Sequence, residues 1–296
     1  MVVGAASRDL TSDDPRGWRL GGAVSYAGLT LARLGVSTRA LVGADALASN
    51  ATELDLLRRA GAEVVLVELA SGPVFENVEM ASGRRQHCVS AADLLPLASL
   101  PPGWGRGTPG GALVLAPIAG ELGAGWATAA TGGTLVALGW QGLLRHVAAT
   151  SDVARLAPAA HPFLARADLV VVSEDDLGPA ARPSEAVALV RHGATLVITR
   201  GERGGSAFTR PATGRSALRT YRAASSRAVI DPTGAGDVFL GALVATAIAG
   251  DRLGVDNGWS ERLAFAAAAS SLAIEAPGLA GVPDLAAVRR RLDGRG

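Results

Sequence analysis

The chain alternates short apolar runs with segments whose apolar residues recur at helical spacing. The apolar runs predict strands at 1–5, 39–42, 63–67, 112–116, 134–138, 168–172 and 195–199. The helical pattern falls between them, at 23–34, 51–60 and 184–192. Such alternation is typical of a mostly parallel sheet with helices on both faces. The pattern therefore predicts the α/β class, with a Rossmann-like, doubly wound central sheet.

One region departs from this pattern. Residues 73–80 and 84–89 are two β-like runs joined by Ala81, Ser82 and Gly83, which is a hairpin signal. An antiparallel hairpin inserted in a parallel pattern predicts a small β lid, built from segments near 8–20 and 73–89. The alternative is an ordinary extension of the sheet edge. No repeat or break in composition divides the chain, so we expect a single domain over 1–296.

The longest apolar run, Val238–Ile248, predicts a buried helix because it is apolar almost all round. Gly234, Ala235 and Gly236 precede it, and the backbone N–H groups at such a helix start suit a phosphate. Asp237 places a carboxylate beside this anion site, where it can accept a proton from a hydroxyl that attacks phosphorus. The alternative is a tight glycine turn with Asp237 as a helix cap.

Composition excludes several classes of protein. A net charge of +1 without a basic cluster argues against a nucleic-acid partner. The one cysteine fits a reducing compartment, so we expect a cytoplasmic protein. No apolar run reaches the ~20 residues of a membrane span and no signal-peptide pattern is present, so we expect no membrane contact.

The absence of lysine is more informative, because all 28 basic residues are arginine. A Walker-A loop and a protein-kinase site both need a lysine that contacts phosphate, and Schiff-base catalysis needs a lysine amine. The absence of lysine therefore excludes all three kinds of site. The four histidines lack metal-ligand spacing, and no G-x-S-x-G pattern suggests a hydrolase.

The segment DPTGAGD at Asp231–Asp237 resembles the DTGAGD signature of the ribokinase-like (PfkB) carbohydrate kinases. The resemblance implies that the amides of Gly234, Ala235 and Gly236 form an anion hole for the transferred phosphoryl group. It also implies that Asp237 is the catalytic base, and that the fold is ribokinase-like.

Gly21 and Gly22, ahead of the first helix, are similar to the family's first glycine pair. Asn is usual four positions after the second glycine, where this chain has Tyr26. In similar kinases an aspartate at the position of Asp9 accepts hydrogen bonds from two substrate hydroxyls. The resemblance thus implies substrate contacts at Asp9, Gly21, Gly22 and Tyr26, although a loop aspartate and a helix start explain the same residues without function.

Two further segments bear on the substrate. Asn77 lies on the predicted lid, and Gln141 and Arg145 follow the strand at 134–138, where open α/β sheets place ligands. Arg145 can neutralise a transferring phosphate in a chain without lysine, or it can be a solvated surface arginine. Together these residues look most similar to the inositol-kinase-like branch of the family.

Ser173 to Asp176 resembles the family's Asn-x-x-Glu motif with both ends replaced. The resemblance implies that Asp176 helps to place Mg²⁺, whereas a charged helix start explains the acids equally well. Further residues on the nucleotide side implied by the resemblance are Ser173, Thr199, Gly201, Gly204, Thr233, Pro277 and Gly278.

These observations predict an ATP- and Mg²⁺-dependent kinase that phosphorylates a hydroxyl of a small sugar or cyclitol. One alternative is a nucleoside kinase of the same family, with Phe75, Trp140 or Tyr26 stacking on the base. Another is a catalytically degenerate regulator that binds nucleotide or sugar. A Rossmann dehydrogenase fits less well, because its G-x-G-x-x-G is missing after the first strand. A monovalent-cation requirement and the choice between monomer and homodimer are left open.

Overall fold

The computed structural model describes residues 1–80, 83–104, 109–214 and 217–294. Ala81 and Ser82, in the predicted hairpin turn, lie outside the described residues. The strands are β1 (Val2–Ala5), β2 (Arg8–Leu10), β3 (Trp18–Leu20), β4 (Arg39–Ala44), β5 (Glu63–Glu68), β6 (Val74–Met80), β7 (Gly83–Ser90), β8 (Ala112–Leu115), β9 (Leu135–Gly139), β10 (Arg145–His146), β11 (Ser151–Asp152), β12 (Ala154–Arg155), β13 (Leu169–Ser173), β14 (Thr195–Thr199), β15 (Gly205–Thr209) and β16 (Ala217–Tyr221). The α-helices are α1 (Ala23–Arg33), α2 (Leu54–Arg59), α3 (Pro162–Arg166), α4 (Glu174–Leu177), α5 (Pro183–Leu189), α6 (Ala235–Leu253), α7 (Trp259–Ala273) and α8 (Leu285–Leu292).

The main sheet has the strand order β16-β15-β14-β13-β9-β8-β1-β4-β5. Its strands run parallel from β14 to β5, and β15 and β16 add an antiparallel edge. Parallel neighbours require crossover connections, and the predicted helices supply most of them. The predicted α/β, doubly wound class is confirmed.

Both faces of the sheet are buried, and successive residues of one strand serve different cores. Val2 packs with α1, α6 and α7, whereas Val3 packs with residues of α3 and α5 on the opposite face. This period of two explains why the central strands read as continuous apolar runs. The helix predicted at Val238–Ile248 is α6, which begins three residues earlier and continues to Leu253 through a non-helical residue, Ala249.

A second sheet has the order β11-β7-β6-β2-β3. It contains strands from both segments of the predicted lid, since β2 and β3 lie within 8–20 and the β6–β7 hairpin covers 74–90. The hydrophobic pattern does not predict β11, which pairs with β7 from the loop after β9. Two-residue strands lie below the length at which a hydrophobic pattern can be recognised. That this sheet closes over a substrate stays a prediction.

Among the residues that the structure describes, no helix is both long and apolar enough to cross a membrane.

Candidate active site

The start of α6 forms one wall of the candidate site. Its N-cap, Gly234, has φ +78°, a left-handed conformation that favours glycine. A side chain at Gly234 would also collide with Tyr26, since a Cβ there would lie 2.4 Å from the Tyr26 ring. Glycine is therefore required at this position for two reasons, the left-handed backbone conformation and the close approach of the Tyr26 ring.

The amides at this helix start differ from one another. Ala235 and Gly236 already belong to the first turn of α6, where helix geometry leaves N–H groups without an intrahelical acceptor. The N–H of Ala235 donates to the carbonyl of Pro232 over 3.3 Å, which is a long hydrogen bond. Gly236 is exposed, and a Cβ added there would meet nothing within 4 Å. The open approach to this turn is thus at Gly236.

Asp237 follows on the first turn of α6, half-buried. Burial raises the pKa of Asp237 to about 7, Arg145 opposes the rise, and the negative charges of Asp176 and Asp9 add to it. A carboxyl group with a pKa near 7 is well matched to accepting a proton at neutral pH. The interaction of these four charged groups places them around one corner.

Asp9 reaches this corner from β2. Its Oδ1 accepts a hydrogen bond from the Ser7 hydroxyl over 3.0 Å. A Cβ at Gly21 would lie 2.3 Å from Asp9 Oδ2, and a Cβ at Gly22 would lie 2.5 Å from the carbonyl oxygen of Ala5. The glycine pair therefore lets the start of α1 approach the end of β1 and the Asp9 carboxylate closely.

Tyr26 connects the two glycine turns from α1. It is 2% exposed, and burial together with the carboxylates of Asp9, Asp231 and Asp237 raises its pKa far above the usual value. The phenol therefore stays protonated. Because its ring is buried against Gly234, Tyr26 forms the floor of the corner.

Asp231 fixes this floor to the C-terminal part of the chain. Its Oδ1 accepts from the amide of Thr233 over 2.9 Å, and its Oδ2 accepts from the amide of Gly278 over 2.9 Å. A Cβ at Gly278 would lie 3.9 Å from the Tyr26 hydroxyl. Pro277 and Gly278, predicted on the nucleotide side, are thus placed beside Asp231 and Tyr26.

Gln141, Arg145, Ser173 and Asp176, which the sequence suggested separately, are in direct contact. Gln141 Nε2 donates to both carboxylate oxygens of Asp176 over 3.2 and 3.1 Å, and Arg145 donates to Oδ1 over 3.5 Å. The Ser173 hydroxyl donates to Asp176 Oδ2 over 2.6 Å and accepts from the Asp176 amide over 2.9 Å. The ends of β9 and β13 are joined through this cluster.

The turn at Thr199–Gly204 lies beside this cluster, at the end of β14. Arg200 N–H donates to the carbonyl of Gly204 over 2.7 Å, and Gly201 and Gly204 have φ of +54° and +76°. Arg200 and Arg203 both bind Glu174, over 2.8 and 2.6 Å. The turn is therefore closed on itself and tied to the first residue of α4.

Asn77 is placed on the second sheet, where Gln86 donates to its side-chain oxygen over 2.9 Å. It shares a strand face with Phe75, the residue opposite Asp9 in the pairing of β2 with β6. The substrate contact predicted for Asn77 stays a prediction.

The Asp176 carboxylate, which the resemblance places near Mg²⁺, is already engaged by protein donors. A carboxylate has about four lone-pair sites, and Ser173, Gln141 and Arg145 make four contacts to those of Asp176. Within the described ranges, no three His, Cys, Asp or Glu side chains form a group that could hold a metal ion. The Mg²⁺ requirement stays a prediction.

Sequence reasoning missed Glu121, which is completely buried in the loop after β8. Its carboxylate accepts from the amides of Ala5, Ile118 and Ala119, at 2.8–3.2 Å. Burial raises the pKa of Glu121. It fixes the end of β1, next to the glycine pair, and the signal that could have found it is that Glu121 is the one acid in the otherwise apolar segment 112–122.

Solved structures show the same fold over the whole chain. A pyrophosphate-dependent kinase of the ribokinase family, complexed with a pyrophosphate analogue and myo-inositol, is 19% identical with a TM-score of 0.71, covering 99% of this chain and 98% of its own. A nucleoside kinase from Methanocaldococcus jannaschii is 17% identical, with a TM-score of 0.69 and coverage of 99% and 98%. Arabidopsis thaliana ribokinase, complexed with ribose and ATP, is 18% identical, with a TM-score of 0.66 and coverage of 98% and 97%. The fold is that of the ribokinase-like kinases.

The sequence model described as "pfkB family carbohydrate kinase" matches residues 146–285. This stretch contains Ser173, Asp176 and the whole Asp231–Asp237 turn. The matching model is that of the family to which the sequence shows a resemblance, and the solved structures of the same fold include a kinase of the ribokinase family. A search of curated protein sequences gives no significant match.

Proposed function

We propose that this protein is an ATP-dependent phosphotransferase that phosphorylates a hydroxyl of a small sugar or cyclitol. The observation that carries the proposal is the corner at the start of α6. There a carboxyl group whose pKa is raised to about 7 follows an open helix start that contains a left-handed glycine. A carboxyl group with this pKa can accept a proton at neutral pH from a hydroxyl beside the phosphate site.

In the proposed reaction the substrate hydroxyl attacks the terminal phosphorus of the donor. The new O–P bond forms as the bond from phosphorus to the leaving diphosphate oxygen breaks, and Asp237 takes the hydroxyl proton. The first-turn amides of α6, chiefly at Gly236, stabilise the negative charge of the phosphoryl group. Arg145 supplies the positive charge that a lysine provides elsewhere.

The acceptor side is suited to a polyhydroxy compound. The Asp9 carboxylate can accept hydrogen bonds from two neighbouring hydroxyls, and it lies in the charged surroundings of Asp237. One solved structure of the same fold contains myo-inositol, which supports a cyclitol as the first substrate to test.

A nucleoside acceptor is less well supported. The aromatic residues that could stack on a base, Phe75, Trp140 and Tyr26, are only 3%, 1% and 2% exposed. Each is packed into a core and offers little surface to a ligand. A nucleoside kinase shares the fold, so nucleosides belong in the substrate panel.

Two phosphoryl donors, ATP and pyrophosphate, have to be compared. ATP is bound by a kinase of this fold, and another kinase of the fold uses pyrophosphate. ATP is the donor that the family resemblance implies, and pyrophosphate is the competing donor to test.

The test is a panel of cyclitols, sugars and nucleosides, each incubated with ATP or pyrophosphate and followed by phosphorus NMR of the products. The proposal predicts a phosphate monoester of a cyclitol or sugar, formed from ATP and absent with Asp237→Asn. Binding of ATP without turnover on any acceptor would instead indicate a degenerate regulator. A nucleoside monophosphate as the only product would mean that the acceptor is a nucleoside and not a sugar or cyclitol.

A further inference from the structure

Asp176 occupies the place where the family resemblance predicts a residue that helps to place Mg²⁺, yet its carboxylate is already engaged. Oδ1 accepts from Gln141 and Arg145, and Oδ2 accepts from Gln141 and Ser173. The hydrogen bond from Ser173, at 2.6 Å, is in the range of strong charge-assisted bonds. A cation could bind this carboxylate directly only by displacing several of these donors.

Two of the three partners of Asp176, Gln141 and Arg145, come from a different part of the chain. Gln141 and Arg145 follow β9, whereas Ser173 and Asp176 end β13 and begin α4. β9 and β13 are neighbours in the main sheet, so their ends lie at the same edge. Asp176 thus bridges two strand ends on the side of the sheet where α6 begins.

The contacts of Asp176 affect where the positively charged guanidinium of Arg145 lies. Arg145 interacts with Asp237 as well as with Asp176, and both Arg145 and Asp176 are mostly buried. A long arginine side chain loses rotamer freedom when it is held, and a partially buried carboxylate partner offsets that cost. Loss of the Asp176 carboxylate removes the Oδ1 contact that helps to orient the guanidinium.

We propose that Asp176 is a positioning residue, which with Ser173 holds Arg145 and Gln141 beside Asp237 and does not coordinate the metal ion of the phosphoryl donor. This inference rests on the proposed function, because it assigns Arg145 to the transferring phosphate. It predicts that Ser173 and Asp176, which replace the two ends of the Asn-x-x-Glu motif in this chain, hold Arg145 in place.

The first experiment is a double-mutant cycle with Asp176→Asn and Arg145→Met, assayed with the acceptor and donor that the panel identifies. Each single variant should lower kcat/KM by about 10- to 100-fold, because each removes the held charge. The double variant should lose little more than either single variant, within about threefold, since the two residues act as a unit. Losses that multiply would overturn the proposal.

The second experiment measures metal binding directly. Mn²⁺ is titrated into the protein with the nonhydrolysable ATP analogue AMP-PNP, or with methylenediphosphonate, and free Mn²⁺ is followed by electron paramagnetic resonance. Asp176→Asn should change the Mn²⁺ affinity by less than about twofold. A loss of tenfold or more would make Asp176 a metal-placing residue and overturn the proposal.

The pH dependence gives a readout that a merely structural role would not move. The charged groups around Asp237 are Arg145 from β10, Asp176 from α4 and Asp9 from β2. Arg145→Met removes a positive charge, so the acidic limb of kcat/KM should move to higher pH. Asp176→Asn removes a negative charge and also releases Arg145, and because these changes oppose each other the limb should stay near its wild-type position. A limb that moves to lower pH in Asp176→Asn, as loss of the carboxylate alone would give, would contradict the proposal.

Asp175→Asn is the matched control, because Asp175 is exposed on the same turn of α4. It should leave kcat/KM, the Mn²⁺ affinity and the pH limb unchanged. Crystal structures of the free wild type and of Asp176→Ala complete the test without any ligand. Arg145 should leave its position in the variant, and an unchanged Arg145 would overturn the proposal. If the wild type transfers phosphate to no acceptor, the proposed function fails, and the crystal structures still decide the role of Asp176.

Discussion

Asp176 and Asp237 occupy equivalent positions on two helices, yet the hydrogen bonding of their carboxylates differs. Each is the third residue after the N-cap, in α4 and α6 respectively. The N-cap of α4 is Ser173, whose hydroxyl binds both the amide and the carboxylate of Asp176. The N-cap of α6 is Gly234, which has no side chain to offer. Within the described part of the chain, no group donates a hydrogen bond to the Asp237 carboxylate.

This difference indicates that the surroundings, and not the position on a helix, distinguish the acid that we propose as an anchor from the acid that we propose as a base. A helix N-terminus favours a negative charge by about 0.3–1 kcal/mol. Raising the pKa of Asp237 from 3.8 to about 7 corresponds to a cost of ionisation of about 4 kcal/mol. Desolvation therefore outweighs the helix dipole at Asp237.

The largest expected effect is on Asp237 itself. Asp237→Asn removes the proposed base, so kcat should fall by about 10³-fold, within the range of general-base contributions. Donor binding, measured by calorimetry with AMP-PNP, should change little. A variant that retains more than a tenth of the wild-type kcat would contradict the assignment.

The same variant should be more stable than the wild type at pH 8. The folded-state pKa of Asp237 is above its unfolded value, so the stability present below about pH 4 is lost as pH rises through about 7. Asparagine carries no charge at any pH, and we expect a gain of about 1–2 kcal/mol at pH 8 after allowance for solvent screening. Urea unfolding at pH 8 and pH 4 measures it; equal stabilities at pH 8 would contradict the burial of an ionised group.

The next largest effect should come from the glycine that shapes the Asp237 corner. Gly234→Ala places a Cβ against the Tyr26 ring at a left-handed residue, which should cost about 1–3 kcal/mol and lower kcat at least tenfold. Gly236→Ala is the matched control for stability, because a Cβ there meets nothing within 4 Å. Thermal unfolding of the two variants checks this, and equal losses would contradict the described packing.

Glu121 extends the comparison to an acid that is fully buried and fully hydrogen-bonded. Glu121→Gln points an N–H₂ group at backbone N–H donors, so we expect a loss of about 1–3 kcal/mol. The exposed Glu202→Gln is the control and should have no effect. Denaturant unfolding that finds the two variants equally stable would refute the role of Glu121 in holding the end of β1.

The smallest effect should come from Ser173→Ala, which removes one of several partners of Asp176. We expect a loss of about 0.5–2 kcal/mol in stability, typical of an N-cap residue, and a decrease in kcat of only two- to fivefold. Denaturant unfolding and steady-state kinetics test it. A decrease in kcat as large as that of Asp237→Asn would mean that the two helix starts do not differ as described.

The sheet and the start of α6 could be predicted from the sequence, because they depend on local patterns. Apolar runs mark strands such as β8 and β13, and the segment from Asp231 to Asp237 contains its own turn and helix start. Burial on both faces of a parallel sheet makes these patterns strong.

The remaining parts of the site depend on contacts between distant segments. Asp176 and Gln141 are 35 residues apart, and Glu121 and Ala5 are 116 residues apart. No local pattern encodes such pairs, so the sequence did not reveal the contact of Asp176 with Gln141 or the role of Glu121. Tyr26 illustrates the same limit, because only the fold shows that its ring packs on Gly234.

The pH dependence of kcat/KM for the wild type tests the central claim most directly. If Asp237 is the base, in the surroundings that raise its pKa to about 7, kcat/KM should fall tenfold per pH unit below a limb near pH 7. The fall should disappear in the residual activity of Asp237→Asn. A wild-type profile that stays flat down to pH 5, or a limb that persists in the variant, would contradict the account.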